Sequence, residues 1–150
     1  MYNSINILNF LNMKTKHIIF AAAVLLTIGM LFAGCAKSGP SDWHHPQTFE
    51  ESVLALPDSA ATPEQLAFKE KLRDFAMKPG MIEIEGHRLV VKASEEDFNK
   101  QGIDPIYKKF LQMSLDETND GAEQWLKDGL ITEEDIPRML REAQAEFGRK

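Results

Sequence analysis

The sequence predicts an α+β domain, mainly helical, with one β-hairpin at about residues 81–93, set behind an N-terminal signal helix. Three observations carry that reading. Apolar residues recur at three- and four-residue spacing behind capping residues over 48–78 and again over 94–147. Between Ile82 and Val91 the period drops to two, around Gly86-His87. Ahead of all this, Ile18 to Gly34 is uncharged and follows Lys14 and Lys16.

Residues 1–12 carry no charge and hold Asn3, Asn6, Asn9 and Asn12. They read as an upstream extension, with Met13 as the start of the functional chain. Residues 13–34 have a basic start at Lys14, Lys16 and His17, then an apolar stretch, then small Ala33 and Gly34. Those are the parts of a secretory signal peptide. The apolar stretch is short for a spanning helix, which needs roughly 20 residues. Cys35, the one cysteine, follows at once and offers a thiol for acylation.

Residues 13–35 resemble the signal peptide and lipobox of bacterial lipoproteins, with Ala33, Gly34 and Cys35 at the matching positions. Phe32 stands where that pattern has Leu, Val or Ile, and Leu31 sits one place early. The resemblance implies that Cys35 receives a diacylglyceryl group, that the chain is cut just before it, and that the new amino end is acylated. It therefore implies a bacterial cell-envelope protein attached to the membrane through Cys35. Ala36, rather than aspartate, follows the cysteine, which by the same resemblance implies the outer membrane. The alternative use of the same residues is an uncleaved helix that anchors the chain.

From Cys35 onward 15 basic residues face 23 acidic ones, a formal charge of −8, because Lys14 and Lys16 belong to the signal. That balance excludes nucleic acid, which requires basic patches. It also excludes a polybasic grip on anionic lipid. A length of 116 residues suits one domain with one core. With Cys35 acylated there is no thiol left for a disulfide, a nucleophile or a thiolate metal site. The expected division is a lipidated cysteine and flexible tether at 35–47, then a single small acidic domain at 48–150.

Small, polar Ala36 to Ser41 opens the tether. In Trp43-His44-His45-Pro46, adjacent histidines rarely reach one ion, so the expectation is a loop whose Trp43 packs on the domain edge. Thr48-Phe49-Glu50-Glu51 has the form of a capping box, which predicts a short helix with Phe49, Val53 and Leu56 on one face, ended by Pro57. A loop at 58–61 follows. Thr62 then caps a helix with Pro63 at its first position and Phe68, Leu72, Phe75 and Ala76 inward, while Lys69, Lys71 and Arg73 point elsewhere. Pro79-Gly80 stops it.

In the hairpin, a turn at Gly86-His87 pairs Ile84 with Leu89 and Ile82 with Val91, and glycine first suits type II′. Glu83, Glu85 and His87 could suggest acid–base chemistry, but alternate positions on a ribbon are ordinarily its wet face. Ser94-Glu95-Glu96-Asp97 opens a short helix ended by Gly102. Asp104-Pro105 caps the next. There Ile106, Tyr107, Phe110, Leu111, Met113 and Leu115 leave a narrow polar strip of Lys108, Lys109, Gln112 and Asp116. A helix apolar over most of its surface is central in a core, so this should be the most buried element.

Asp116-Glu117-Thr118-Asn119-Asp120-Gly121 resembles the first half of an EF-hand calcium loop, which makes Asp116, Thr118 and Asp120 metal-ligand candidates. The second half does not follow, since Glu123 and Lys127 stand where an apolar residue and a bidentate glutamate belong. A second register from Asp128 to Asp135 resembles only the later half, with Gln124 and Leu126 at its first ligand positions. The plainer expectation is that Asp120 caps a short helix, Gly129 ends it, and Thr132 with Asp135 caps the last one. Trp125 to Phe147 also resembles the short C-terminal oligomerisation helices of many bacterial membrane proteins, through Gly129, Ile131, Thr132, Asp135 and Ile136; Pro137 departs from that pattern. Ile136, Met139, Leu140, Ala143 and Phe147 form one stripe. Its ordinary use is core; its other use is a partner surface made by Ile136, Met139, Leu140 and Phe147.

These residues offer no nucleophile elbow, no phosphate loop and no cofactor motif. The functional expectation is a non-catalytic interaction or accessory lipoprotein with an envelope protein partner or self-association. The alternative is a lipoprotein that binds a small ligand, a peptide or a metal.

Overall fold

The computed structural model describes residues 42–147. The expected upstream extension, the signal helix, Cys35 and the tether as far as Ser41 lie outside the described residues. The described chain is α+β and mainly α. Two 3-10 turns, Val53–Ala55 and Asp58–Ala60, lead into helix α1 (Pro63–Ala76) and an antiparallel hairpin of β1 (Ile82–Glu85) and β2 (Arg88–Val91). Helices α2 (Glu95–Lys100), α3 (Ile106–Lys127) and α4 (Asp135–Phe147) follow.

The helix expected at 48–56 does not form. Phe49, Val53, Leu54 and Leu56 are all buried. An α-helix would turn Leu54 about 140° away from Phe49. Side chains instead bond the local backbone: Glu51 Oε2 accepts from Gln47 N at 2.8 Å and Thr48 N at 3.3 Å, and Ser52 Oγ donates to Phe49 O at 2.6 Å. Such bonds compete with helix. The segment wraps the core as turns.

Helix α1 starts as read, with reciprocal bonds between Thr62 and Gln65 and Pro63 in the first turn. Phe68, Leu72, Phe75 and Ala76 are buried. Lys69 corrects the expectation that it points outward: it is 7% exposed, and its Nζ donates to Leu56 O and to Asp58 Oδ1, the latter at 2.8 Å. It thereby pins both 3-10 turns to α1.

The hairpin has the expected register, Ile82 opposite Val91 and Ile84 opposite Leu89. Gly86 has φ +63° and His87 does not have positive φ, the sign pattern of a type II′ turn. Ser94 and Asp97 cap α2 reciprocally.

Helix α3 departs most from expectation. It runs unbroken for 22 residues through the stretch read as a calcium loop or a fresh helix start. Asp104 begins it by accepting from Ile106 N at 2.9 Å. Gln112 Nε2 donates to Asp116 Oδ1 at 3.0 Å, and the hydroxyls of Ser114 and Thr118 donate to carbonyls one turn back. Polar side chains thus serve the helix rather than ending it, and Gly121 costs only ~1 kcal/mol relative to alanine. The helix ends at Gly129, φ +66°, where Leu130 N donates to Trp125 O at 2.9 Å. Tyr107, Phe110, Leu111, Leu115 and Ala122 put α3 at the centre of the core, as expected of its first half. Met113 is the exception at 44% exposed.

Thr132 and Asp135 cap α4 as read, and Pro137 in its first turn is tolerated. Ile136, Met139, Leu140 and Ala143 are 1–6% exposed, and Phe147 packs against the same core. The stripe offered as a partner surface is therefore core. Its burial leaves nothing of Ile136, Met139 or Leu140 for an oligomer contact.

The tether expectation also shifts. Residues 42–47 belong to the folded body: Pro46 is buried, and Trp43 packs edge-on to Phe68 with centroids 5.2 Å apart. The Tyr107 hydroxyl donates to Trp43 O at 2.6 Å and accepts from Val53 N at 3.3 Å. Tyr107→Phe should lower stability by roughly 1–3 kcal/mol, because it leaves two backbone groups unpaired; urea unfolding measures it. Burial also pushes the Tyr107 phenol up to about 12 from 10.0. The protonated form is favoured by folding, so stability is flat below pH 10 and falls as pH rises from there through 12. An ultraviolet titration should show Tyr107, the one tyrosine that follows Cys35, ionising late.

Candidate functional site

In this register Leu89 and Val91 belong to pairs whose own N–H and C=O groups point away from the partner strand. A two-stranded ribbon leaves such an edge bare. Here α3 covers it with amide side chains. Asn119, 1% exposed, accepts from Leu89 N at 2.7 Å and donates to Leu89 O at 3.0 Å. Gln112, two turns earlier, accepts from Val91 N at 2.9 Å and donates to Leu89 O at 3.3 Å. The two amides stand in for a third strand.

Arg88 closes the outer side of this seam. Its guanidinium lies 2.6 Å from Glu123 Oε1, 3.2 Å from Asp120 Oδ1 and 3.6 Å from Asp116 Oδ1. The hydrogen bonds it donates to Asp120 and Glu123 raise its pKa further. Two of the three metal-ligand candidates, Asp116 and Asp120, are thus gathered around an arginine. The third, Thr118, lies about 200° round the helix from Asp116 and is buried, donating to Ser114 O. A calcium loop brings these positions together by turning the chain, whereas a helix separates them. Among the described residues no three His, Cys, Asp or Glu side chains are placed to hold one metal ion.

The other tempting clusters are resolved in a similar way. Glu85 pairs with Lys92, and His87 Nε2 lies 3.5 Å from Glu133 Oε1 across to the loop before α4. Both are exposed, so the hairpin carries its charges as a wet face. His44 stacks on Trp43 with centroids 3.7 Å apart, while His45 Nδ1 lies 2.7 Å from Asp104 Oδ2. The neighbouring rings serve different partners. The hydrogen bond to Asp104 raises the His45 pKa. Partial burial pushes the Asp104 carboxyl up, but the bonds from Ile106 N and His45 outweigh it and hold that carboxyl low. Glu117 is raised by burial and by Asp120, yet it does not line the groove described next.

Beside the seam, a groove of about 620 Å³ opens between the end of β2, the start of α2 and the outer side of α3. Val91, Ile106 and Met113 supply its apolar lining, and Glu95, Lys108 and Lys109 its charged lining. Gln112 and Asp116 also line it, which joins the groove to the seam. Sequence reasoning placed Ile106 and Met113 on the core face and so missed it. Their positions seven apart with Lys109 between them were the available signal, since that side of α3 lies opposite Tyr107 and Leu111.

No family model, curated protein or solved structure matches this chain. Among the described residues, no helix is long and apolar enough to cross a membrane.

Proposed function

We propose that the chain is a lipid-anchored protein of the bacterial cell envelope, held at the outer membrane through acylated Cys35, and that it acts without catalysis by docking an envelope protein in the α3 groove. The observation that carries the docking surface is Met113, left 44% exposed on a helix whose Tyr107, Phe110, Leu111 and Leu115 are at most 2% exposed. The anchor rests on residues 13–35. The burial of Ile136, Met139 and Leu140 moves the expected partner surface from α4 to this groove.

A small-ligand site is the second reading, favoured by the groove's volume of about 620 Å³, which falls within the usual range for such pockets. Long, adaptable lining side chains favour a protein segment instead. The deciding experiment is cross-linked capture of the full chain from its native membrane. Met113→Ser should cut recovery of a stoichiometric partner at least fivefold with unchanged melting temperature, and Cys35→Ser should release the protein from the membrane fraction. Undiminished capture by Met113→Ser would reject the groove, and membrane retention of Cys35→Ser would reject the anchor.

A further inference from the structure

We infer that the segment docked in the α3 groove is acidic: an apolar side chain set against Val91, Ile106 and Met113, flanked by carboxylates that meet Lys108 and Lys109. This inference rests on the docking reading above and adds the chemistry of the occupant. It follows from which of the groove's charges are already engaged. Asp116 accepts from Gln112 Nε2 at 3.0 Å and lies 3.6 Å from the Arg88 guanidinium. The Glu95 side chain has no hydrogen bond or ion pair among the described residues, so of the two acidic groups only Asp116 is engaged inside the fold.

Lys108 and Lys109 are also open. Among the described residues neither belongs to an ion pair; Lys71, Lys78, Lys127 and Arg141 share that state but do not line the groove. Lys108 acts on Asp97 only through space, and Asp97 is held by Ser94. With Asp116 engaged by Arg88, two adjacent open ammoniums against the single open carboxylate of Glu95 leave the groove's lining with a small positive excess. An anionic partner is steered to it, and a basic one is turned away. Gln112 is fixed by its bonds to Val91, Leu89 and Asp116, so that wall of the groove is already in place before anything docks.

The test is a photo-reactive benzoylphenylalanine at position 113 of the full chain in its native membrane, with the cross-linked segment mapped by mass spectrometry. The expected segment carries Asp or Glu within four residues of the cross-linked apolar residue. Its synthetic peptide should bind the purified full chain in detergent roughly five- to tenfold more weakly when Lys108→Gln and Lys109→Gln are combined. Replacing the peptide's carboxylates by amides should weaken binding equally, and the two changes together should add little. A neutral or basic segment, or a peptide indifferent to the lysines, would overturn the acidic occupant while leaving the groove as a docking site. Cross-linking to lipid alone would overturn it in favour of the membrane surface. A control chain carries the photo-reactive residue instead at Leu130, the other large apolar side chain exposed among the described residues, and a partner captured there but never at position 113 would remove the groove reading itself.

Discussion

Asn119→Leu should destabilise the domain by about 3 kcal/mol, although the change adds apolar volume to a buried site. Leucine supplies neither the oxygen that accepts from Leu89 N at 2.7 Å nor the amide that donates to Leu89 O at 3.0 Å. Both backbone groups point at α3 and have no strand beyond them. A buried, unpaired peptide group costs roughly 1–3 kcal/mol; Leu89 N loses its acceptor outright, and Leu89 O is left with only the longer bond from Gln112 Nε2 at 3.3 Å. For a domain of this size the loss corresponds to a fall of ~10–20 °C in melting temperature. Asn119→Asp separates the two bonds, because a carboxylate can still accept from Leu89 N but cannot donate to Leu89 O. Urea unfolding measures the stability, and hydrogen exchange at the Leu89 amide localises it. A change below about 1 kcal/mol, or an unaltered Leu89 exchange rate, would show that the amide is not what covers the edge.

That seam explains why so much of α3 is polar on its inner side without breaking the core. Ser114 and Thr118 satisfy their hydroxyls on the helix's own carbonyls, and Asn119 satisfies its amide on the hairpin. Each buried polar group then meets the requirement that burial imposes on it. The arrangement also ties the groove to the fold. Gln112 bonds β2 on one side and lines the groove on the other. Loosening the hairpin should therefore loosen the groove proposed for docking as well.

Elements set by local chemistry were legible in the sequence. Thr62 with Gln65, Ser94 with Asp97, and Thr132 with Asp135 all cap where the pattern put them. Gly86-His87 fixed the hairpin register, because a two-residue turn leaves no freedom to slip. The failures share a cause. At 48–56 a capping signal was present, but Val53 N was taken by Tyr107, more than fifty residues away. At 116–121 the run of Asp, Thr, Asn and Gly looked like a turn, and Arg88 from the hairpin is what neutralises its carboxylates in a helix. Residues 42–47 looked like tether because Tyr107 and Asp104 hold them only through tertiary bonds. In each case a distant partner outweighed the local preference. The groove was hidden for a related reason: an apolar pattern tells which residues avoid water on average, but not which one, such as Met113, the packing leaves uncovered.

Ile136→Ala should cost 2–5 kcal/mol, the usual range for truncating a buried isoleucine, because it leaves a cavity as well as losing transfer energy. Ile136 is 1% exposed, and Met139, Leu140 and Ala143 continue the same buried row. The two uses considered for this stripe make opposite forecasts. A partner surface would lose capture of the partner with stability intact. A core would lose stability first, with capture failing only in proportion to the unfolded fraction. Met113→Ser provides the contrast, since a side chain 44% exposed can be shortened with little structural cost. Measuring unfolding and capture for both variants separates packing from recognition. If Ile136→Ala kept its full stability and lost its partner, α4 would be a detachable helix and the docking surface would return to the C-terminal stripe.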